Sequence, residues 1–153
     1  MNPDGFHPRL VPWLEPPKMD SGAPLPAVHS NGRRLHFAYY ISETVVPGRA
    51  VALLRFEGVL QFRLGYPNDE ALHGHPLYEF GLRHYECYQV EDSPLVAEIE
   101  NQNRIHPAFR PGMYSTFRHW IVAFHDETLE VVAGRASVTG RFQFEPSRAV
   151  CEP

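Results

Sequence analysis

Residues 65–78, with the sequence GYPNDEALHGHPLY, hold most of the side chains that could do chemistry. Two histidines in this stretch, His73 and His75, are separated by one residue, and two acids precede them. A second polar cluster, FHDE, follows at 124–127. We expect any functional site to form where these two segments meet.

The H-x-H spacing of His73 and His75 suits a metal site. On a strand both rings would point to one side, about 6.6 Å apart along the chain, and could supply two imidazole ligands to one ion. His125 is the predicted third ligand, with Asp126 or Glu130 as alternatives. The cofactor that this interpretation predicts is a divalent metal such as Zn²⁺.

The same histidines also have a purely structural interpretation, which we favour. Gly74 makes the backbone between them irregular, and Pro76 restricts His75 to extended conformations. A histidine before proline in a tight loop often uses its ring to bond main-chain carbonyls. One H-x-H pair without an identified third ligand is a weak indication of a metal.

Asn68, Asp69 and Glu70 follow a proline, as is typical of a helix start. Asn or Asp accepts backbone N–H groups, so Asn68 or Asp69 is predicted to cap a short helix. A functional interpretation stays open, in which carboxylates beside His73 act as a general base and its orienting partner.

Glu130 and Asp126 are the candidate catalytic residues of an enzyme. Glu130 lies in the otherwise apolar run LEVV, where burial would raise its pKa and suit it to acid–base chemistry. Pairing with an arginine such as Arg118 is the alternative. Asp126 follows His125, and neighbouring side chains of a strand point apart, so only a turn would let Asp126 orient that imidazole.

A binding protein would use the polar and aromatic side chains of the two segments as its contact surface. The candidate binding residues are Tyr66, Asn68, Asp69, Glu70, His73, His75, Tyr78 and His125.

Composition excludes several classes of protein. A chain of 153 residues with 43% hydrophobic and 12% aromatic side chains predicts one folded domain that needs neither metal nor disulfide to fold. A formal net charge of −4 argues against non-specific nucleic-acid binding, and no apolar run approaches the roughly 18 residues of a membrane helix. Two cysteines and the lack of an apolar N-terminal run predict free thiols in a soluble, cytoplasmic protein.

The first 32 residues carry seven of the fifteen prolines and predict an extended N-terminal segment. Proline is excluded from helix interiors and central strands. Apolar side chains such as Phe6 and Trp13 predict that this segment lies across the domain or across a partner subunit, which makes a homodimer a hypothesis. The remaining parts are predicted to be one β-rich domain over 33–146 and a tail over 147–153.

Alternation of apolar residues predicts most of the remaining structure as strands. Because the alternation survives Glu57 and Gly58, residues 51–64 are interpreted as one long bent strand. Ser93 and Pro94 predict the N-cap and first turn of a helix over 93–103. Three later strands, at 116–125, 128–133 and 136–144, predict an antiparallel meander. The predicted fold class is α+β, a mostly antiparallel, curved or partly closed sheet of about six strands with one short helix.

Three segments resemble a set in an uncharacterised bacterial protein family: GYPNDEALHGHPLYEFGL at 65–82, NRIHP at 103–107 and FHDETLEVVA at 124–133. The resemblance covers residues 36–134. It implies a bacterial cytoplasmic protein and brings no activity, ligand or catalytic residue to any position of this chain.

Three functions remain open on the sequence. The first is a non-catalytic ligand- or protein-binding module that uses the 65–78 loop and the 124–130 turn, and the lack of catalytic motifs favours it over an enzyme. The second is a small metal-dependent hydrolase or isomerase with His73 and His75 as ligands and Glu130 or Asp126 as base. The third is an immunity or antitoxin-like partner protein, which small size and acidity suggest.

Overall fold

The computed structural model describes residues 5–143 of the chain. Its nine strands are β1 (Arg9–Pro12), β2 (Ala27–Asn31), β3 (Arg34–Tyr40), β4 (Ala50–Glu57), β5 (Gln61–Gly65), β6 (Cys87–Glu91), β7 (Arg118–Ala123), β8 (Thr128–Ala133) and β9 (Arg135–Gln143). The α-helix of this region, α1, spans Pro94–Asn103, and two 3₁₀ helices span Asp69–Gly74 and Tyr78–Phe80. The predicted tail at 147–153 lies outside the described residues.

The strands form two antiparallel sheets. A five-stranded sheet has the order β1-β6-β7-β8-β5, and a four-stranded sheet has the order β2-β3-β4-β9. The prediction of a mostly β fold with one short α-helix is therefore confirmed. The sheet count is a correction, since residues 5–143 form nine strands in two sheets where the sequence predicted about six in one.

The main hydrophobic core lies between the two sheets. Alternate residues of β3 and β4, such as Phe37 and Phe56, are fully buried against Trp120 of β7 and its neighbours. Trp13, which follows β1, packs its ring near both Phe56 and Trp120. The N-terminal proline-rich segment thus contributes to this core from the edge of the sheet.

The five-stranded sheet is covered on its second face as well, which we call its outer face. Leu72 and Leu77, from the loop that holds the 3₁₀ helices, pack against Ile121 of β7. Leu95 of α1 packs against Val132 of β8. Strand β8 is consequently buried along its whole length, and a polar side chain on its outer face is enclosed by protein.

Gly58 marks the point where the chain leaves one sheet for the other. Residues 51–64 do not form the single bent strand predicted from their alternation, because β4 pairs in the four-stranded sheet and β5 pairs in the five-stranded sheet. Gly58 has a φ of +65°, which glycine adopts without steric cost. The predicted bend is present, but it interrupts the strand.

The predicted three-stranded meander is also only partly present. Strands β7 and β8 pair antiparallel, whereas β9 crosses to the four-stranded sheet and pairs with β4. The N–H of Gly134 donates to the carbonyl of Glu57, which ties this second crossing to the first.

Helix α1 begins as the sequence predicts. The Ser93 hydroxyl accepts the backbone N–H of Val96 at 3.2 Å, and Pro94 occupies the first turn. Leu95 and Ile99 are buried against the outer face of the sheet. The helix therefore covers part of β8 on the outer face of the five-stranded sheet.

Candidate functional site

A cleft of about 480 Å³ opens on the outer face of the five-stranded sheet, between α1, β5 and the loop that follows β5. Its apolar lining includes Leu77, Leu95 and the prolines Pro76 and Pro94. Its polar lining consists of Arg63, His75, Glu98, His119, Thr128 and Glu130. The cleft thus combines apolar walls with a group of ionisable side chains.

Strand register brings three of the polar side chains together. Arg63 of β5 is paired directly with Glu130 of β8, and Glu130 is paired with Ile121 of β7. Paired residues of adjacent strands point to the same face, and so do residues two apart on one strand. His119, two residues before Ile121, therefore shares the outer face with Arg63 and Glu130.

Glu130 is the centre of this group and is only 3% exposed. Arg63 donates from Nε to its Oε2 at 2.7 Å, and His75 donates from Nε2 to its Oε1 at 2.6 Å. Burial alone would raise the pKa of Glu130, but the His75 hydrogen bond, followed by electrostatic attraction to His119 and then to Arg63, outweighs it and lowers the pKa to about 2. The sequence-based expectation of a raised pKa at Glu130 is corrected accordingly.

The predicted arginine partner of Glu130 is corrected too. Arg118 is paired with Ala133, an odd number of residues from Glu130, so it projects to the opposite face of the sheet. Its guanidinium donates to the Ser115 carbonyl at 3.0 Å instead. Arg63, on a strand distant in sequence, takes the place expected for Arg118.

His75 reaches the sheet because a short capped helix ends beside it. The Asn68 side chain accepts the Ala71 N–H at 3.1 Å and starts the first 3₁₀ helix, as predicted from the sequence. After this helix, His75 accepts the Leu77 N–H on Nδ1 at 3.1 Å. Its hydrogen is therefore on Nε2, where it is donated to Glu130, and both ring nitrogens are occupied.

His119 is 2% exposed, and its Nδ1 lies 2.8 Å from the Ser93 hydroxyl. Its Nε2 has no hydrogen-bond partner among residues 5–143, and the nearest acidic oxygen, Glu130 Oε2, is 3.9 Å away. Burial lowers the pKa of His119 to about 4. A neutral imidazole thus lines the cleft with one buried nitrogen unused.

The loop at 65–78 and the turn at 124–127 do meet, beside the cleft. The Asp69 N–H donates to the His125 carbonyl at 2.8 Å, and the Thr128 hydroxyl donates to the Pro67 carbonyl at 2.8 Å. The Tyr85 hydroxyl donates to the Asp69 carboxylate at 2.5 Å. This hydrogen bond lowers the pKa of Asp69 and raises that of Tyr85 to about 12.

His125 belongs to this second cluster. Its Nδ1 lies 3.0 Å from Asp126 Oδ1, so the turn does let Asp126 orient the ring, and this bond raises the pKa of His125. Its Nε2 lies 3.9 Å from Asp69 Oδ2. The cluster is open to solvent, with 41% of the His125 side chain exposed.

The structure does not bring His73, His75 and His125 together. His73 is exposed and packs edge-on against Tyr78, His75 lies in the cleft, and His125 lies in the Asp69 cluster. Within residues 5–143, no three His, Cys, Asp or Glu side chains are placed to hold one metal ion. The predicted three-histidine centre is not assembled there.

The other predicted binding residues lie at different places on the surface. Tyr66, 90% exposed, lines the cleft, and Tyr78 stacks beneath the Arg83 guanidinium. Glu70 is exposed in the first 3₁₀ helix. Of the eight predicted binding residues, Tyr66 and His75 line the cleft.

Sequence reasoning missed Arg63, Ser93 and His119 as members of the site. The available signal was a histidine directly before the apolar run WIVAF, together with a carboxylate inside the apolar run LEVV of the next predicted strand.

No family model, curated protein or solved structure matches this chain. None of the helices within residues 5–143 is long and apolar enough to span a membrane.

Proposed function

We propose that the protein is a small-molecule binding module whose ligand occupies the cleft beside α1. The observation that carries this proposal is His119, a residue that lines the cleft and whose buried Nε2 has no hydrogen-bond partner among the described residues. Leaving a buried polar group unsatisfied costs about 1–3 kcal/mol. A ligand atom that bonds this nitrogen recovers that free energy, which ties ligand binding to the stability of the fold.

The shape and lining of the cleft support the same conclusion. Small-molecule sites are concave, mostly apolar, and have a few placed polar groups. The volume of about 480 Å³ falls in the range of such sites. Leu77 and Leu95 form apolar walls, and Arg63 and His119 lie beside the same carboxylate oxygen, Oε2 of Glu130.

The carboxylate supports binding better than catalysis. Glu130 accepts charge-assisted hydrogen bonds from Arg63 and His75, and its lowered pKa makes it a weak base. His75 has no free nitrogen for a metal or a proton transfer. The Ser93 hydroxyl caps α1, so it is held by a backbone N–H instead of facing the cleft as a nucleophile. A metal-dependent hydrolase built on His73 and His75 is the less favoured proposal.

A blocked-cleft variant tests the proposal. Glu98 is an exposed residue of α1 that lines the cleft, so Glu98→Trp should fill the cleft without disturbing the core. Gln102→Trp, one turn further along the exposed side of α1, is the matched control. We expect small apolar fragments with one polar end to shift the backbone amide signals of Leu77 and Leu95 in the wild type and in Gln102→Trp, but not in Glu98→Trp. Equal shifts in all three proteins, or none in the wild type, would contradict the proposal.

A further inference from the structure

We infer that the ligand of this cleft is a neutral carbonyl compound on a short apolar chain, an amide being the best fit, with its oxygen bonded to His119 Nε2. This inference rests on the proposed binding function and names the ligand's chemical class. It is carried by the hydrogen-bond inventory of the buried polar groups and by the charges around them.

The position of the hydrogen on His119 follows from the hydrogen bonds of Ser93. The Ser93 hydroxyl already accepts the Val96 N–H, and its own hydrogen needs an acceptor because the residue is buried. The His119 Nδ1 at 2.8 Å is the acceptor that the described residues provide. A neutral imidazole that accepts on one nitrogen carries its hydrogen on the other. His119 Nε2 is therefore a donor, and no acceptor among the described residues lies within hydrogen-bond distance of it, since Glu130 Oε2 is 3.9 Å away.

Arg63 lies beside the same carboxylate oxygen as His119, Oε2 of Glu130. Arg63 donates from Nε to Glu130. Its two Nη groups form no hydrogen bond with any residue of the range 5–143. Its side chain is 56% exposed, so these groups remain accessible from the cleft. The polar groups of the cleft that have no partner among the described residues, His119 Nε2 and the Arg63 Nη groups, are thus donors. A ligand that bonds them must present an acceptor atom.

The charge of the cleft then distinguishes between the possible acceptor groups of the ligand. The cleft is lined by one cation, Arg63, and two anions, Glu98 and Glu130, which gives a net negative charge with histidines counted as neutral. A ligand carboxylate would lie close to the buried Glu130 and be repelled by it. An ammonium has only donors and cannot accept from His119. A neutral carbonyl satisfies both conditions, and the N–H of an amide also finds an acceptor in Glu130.

The test compares hexanamide, hexanoate and hexylamine, with toluene as an apolar probe of the cleft. Amide-signal titrations of the wild-type protein at pH 7.5 are expected to give an affinity for hexanamide about tenfold above those for hexanoate and hexylamine. His119→Phe keeps a ring of similar shape but removes the donor. We expect it to lower hexanamide affinity about tenfold and to leave toluene binding unchanged.

The outcomes separate the inference from the binding proposal. Binding of toluene with a preference for hexanoate or hexylamine, or equal hexanamide affinity in wild type and His119→Phe, would overturn the inference and leave the binding function standing. No binding of any probe would overturn both. A measurement that needs no variant is the imidazole nitrogen spectrum of the wild type: hydrogen on His119 Nε2 supports the inference, and hydrogen on Nδ1 overturns it.

Discussion

Replacing His119 by glutamine should remove a specific part of the protein's sensitivity to acid. The pKa of His119 is lowered from 6.5 to about 4 by burial, so between these values the unfolded state binds more protons than the folded state. The contribution of neutral His119 to the free energy of unfolding is thus fully present above pH 6.5 and is lost as the pH falls toward 4. Linkage gives a loss of about 2 kcal/mol between pH 7 and pH 4.5 from this residue alone. Glutamine does not titrate, so the variant lacks this contribution.

Glu130, Arg63 and His75 face His119, and all three are present in both the wild type and His119→Gln. Glu130, whose pKa is about 2, loses its stabilising contribution as the pH falls below 4.5 toward that value, largely beneath this window. Arg63 stays charged throughout. The difference between wild type and variant therefore reports the His119 imidazole together with its coupling to Glu130 and His75.

Urea unfolding at pH 7 and pH 4.5 measures this difference. We expect the free energy of unfolding to fall by about 2 kcal/mol more in the wild type than in His119→Gln. His29→Gln, at an exposed position of the edge strand β2, should behave like the wild type because His119 is still present. Equal losses in the wild type and His119→Gln would refute the burial of a neutral imidazole at this position.

Three further substitutions test the account. Glu130→Gln would place an amide N–H against an existing donor and should lower the free energy of unfolding at pH 7 by about 2 kcal/mol. The control Glu91→Gln, in the exposed ion pair of β6 with β1, should lower it by less than about 0.5 kcal/mol. Similar losses for the two variants in denaturant titrations would contradict the central role of Glu130. Ser93→Ala removes both the cap of α1 and the hydroxyl at His119, so the free energy of unfolding should fall by about 2 kcal/mol in the same assay. A fall below about 0.5 kcal/mol would contradict the hydrogen bonds of Ser93 to Val96 and His119. Gly58→Ala strains a residue at positive φ and should lower the free energy of unfolding by about 1–2 kcal/mol. The control Gly74→Ala, with open space around its added methyl group, should change the stability little. A larger loss of stability in Gly74→Ala than in Gly58→Ala would contradict the crossing between sheets at Gly58.

Local signals in the sequence predicted local structure well. The caps at Asn68 and Ser93 form as expected because each depends on a side chain and a backbone N–H three residues away. The alternation of β3 and β4 correctly identified a buried face. These features depend on few residues, so the sequence contains nearly all the information they need.

The crossings between sheets could not be predicted in the same way. Alternation continues from β4 into β5 because both strands need one buried face, and nothing in that pattern says that two different sheets bury them. Gly58 was recognised as a bend, but its positive φ and the hydrogen bond from Gly134 to Glu57 depend on the assembled fold.

The candidate site was predicted only in part for the same reason. Glu130 and His75 were singled out, but the pairing of Arg63 with Glu130 follows from strand order, which periodicity does not reveal. The predicted sign of the Glu130 pKa shift was wrong because burial was considered without the two donors that accompany it.

The central claim is that the cleft lacks a hydrogen-bond acceptor opposite His119 Nε2 and that a ligand supplies it. A crystal structure of the protein grown with hexanamide tests this claim most directly. The account predicts that the amide oxygen lies about 2.7–3.2 Å from His119 Nε2, with the alkyl chain against Leu77 and Leu95. Hexanamide bound in the cleft with its oxygen turned away from His119, or bound only elsewhere on the protein, would contradict the account.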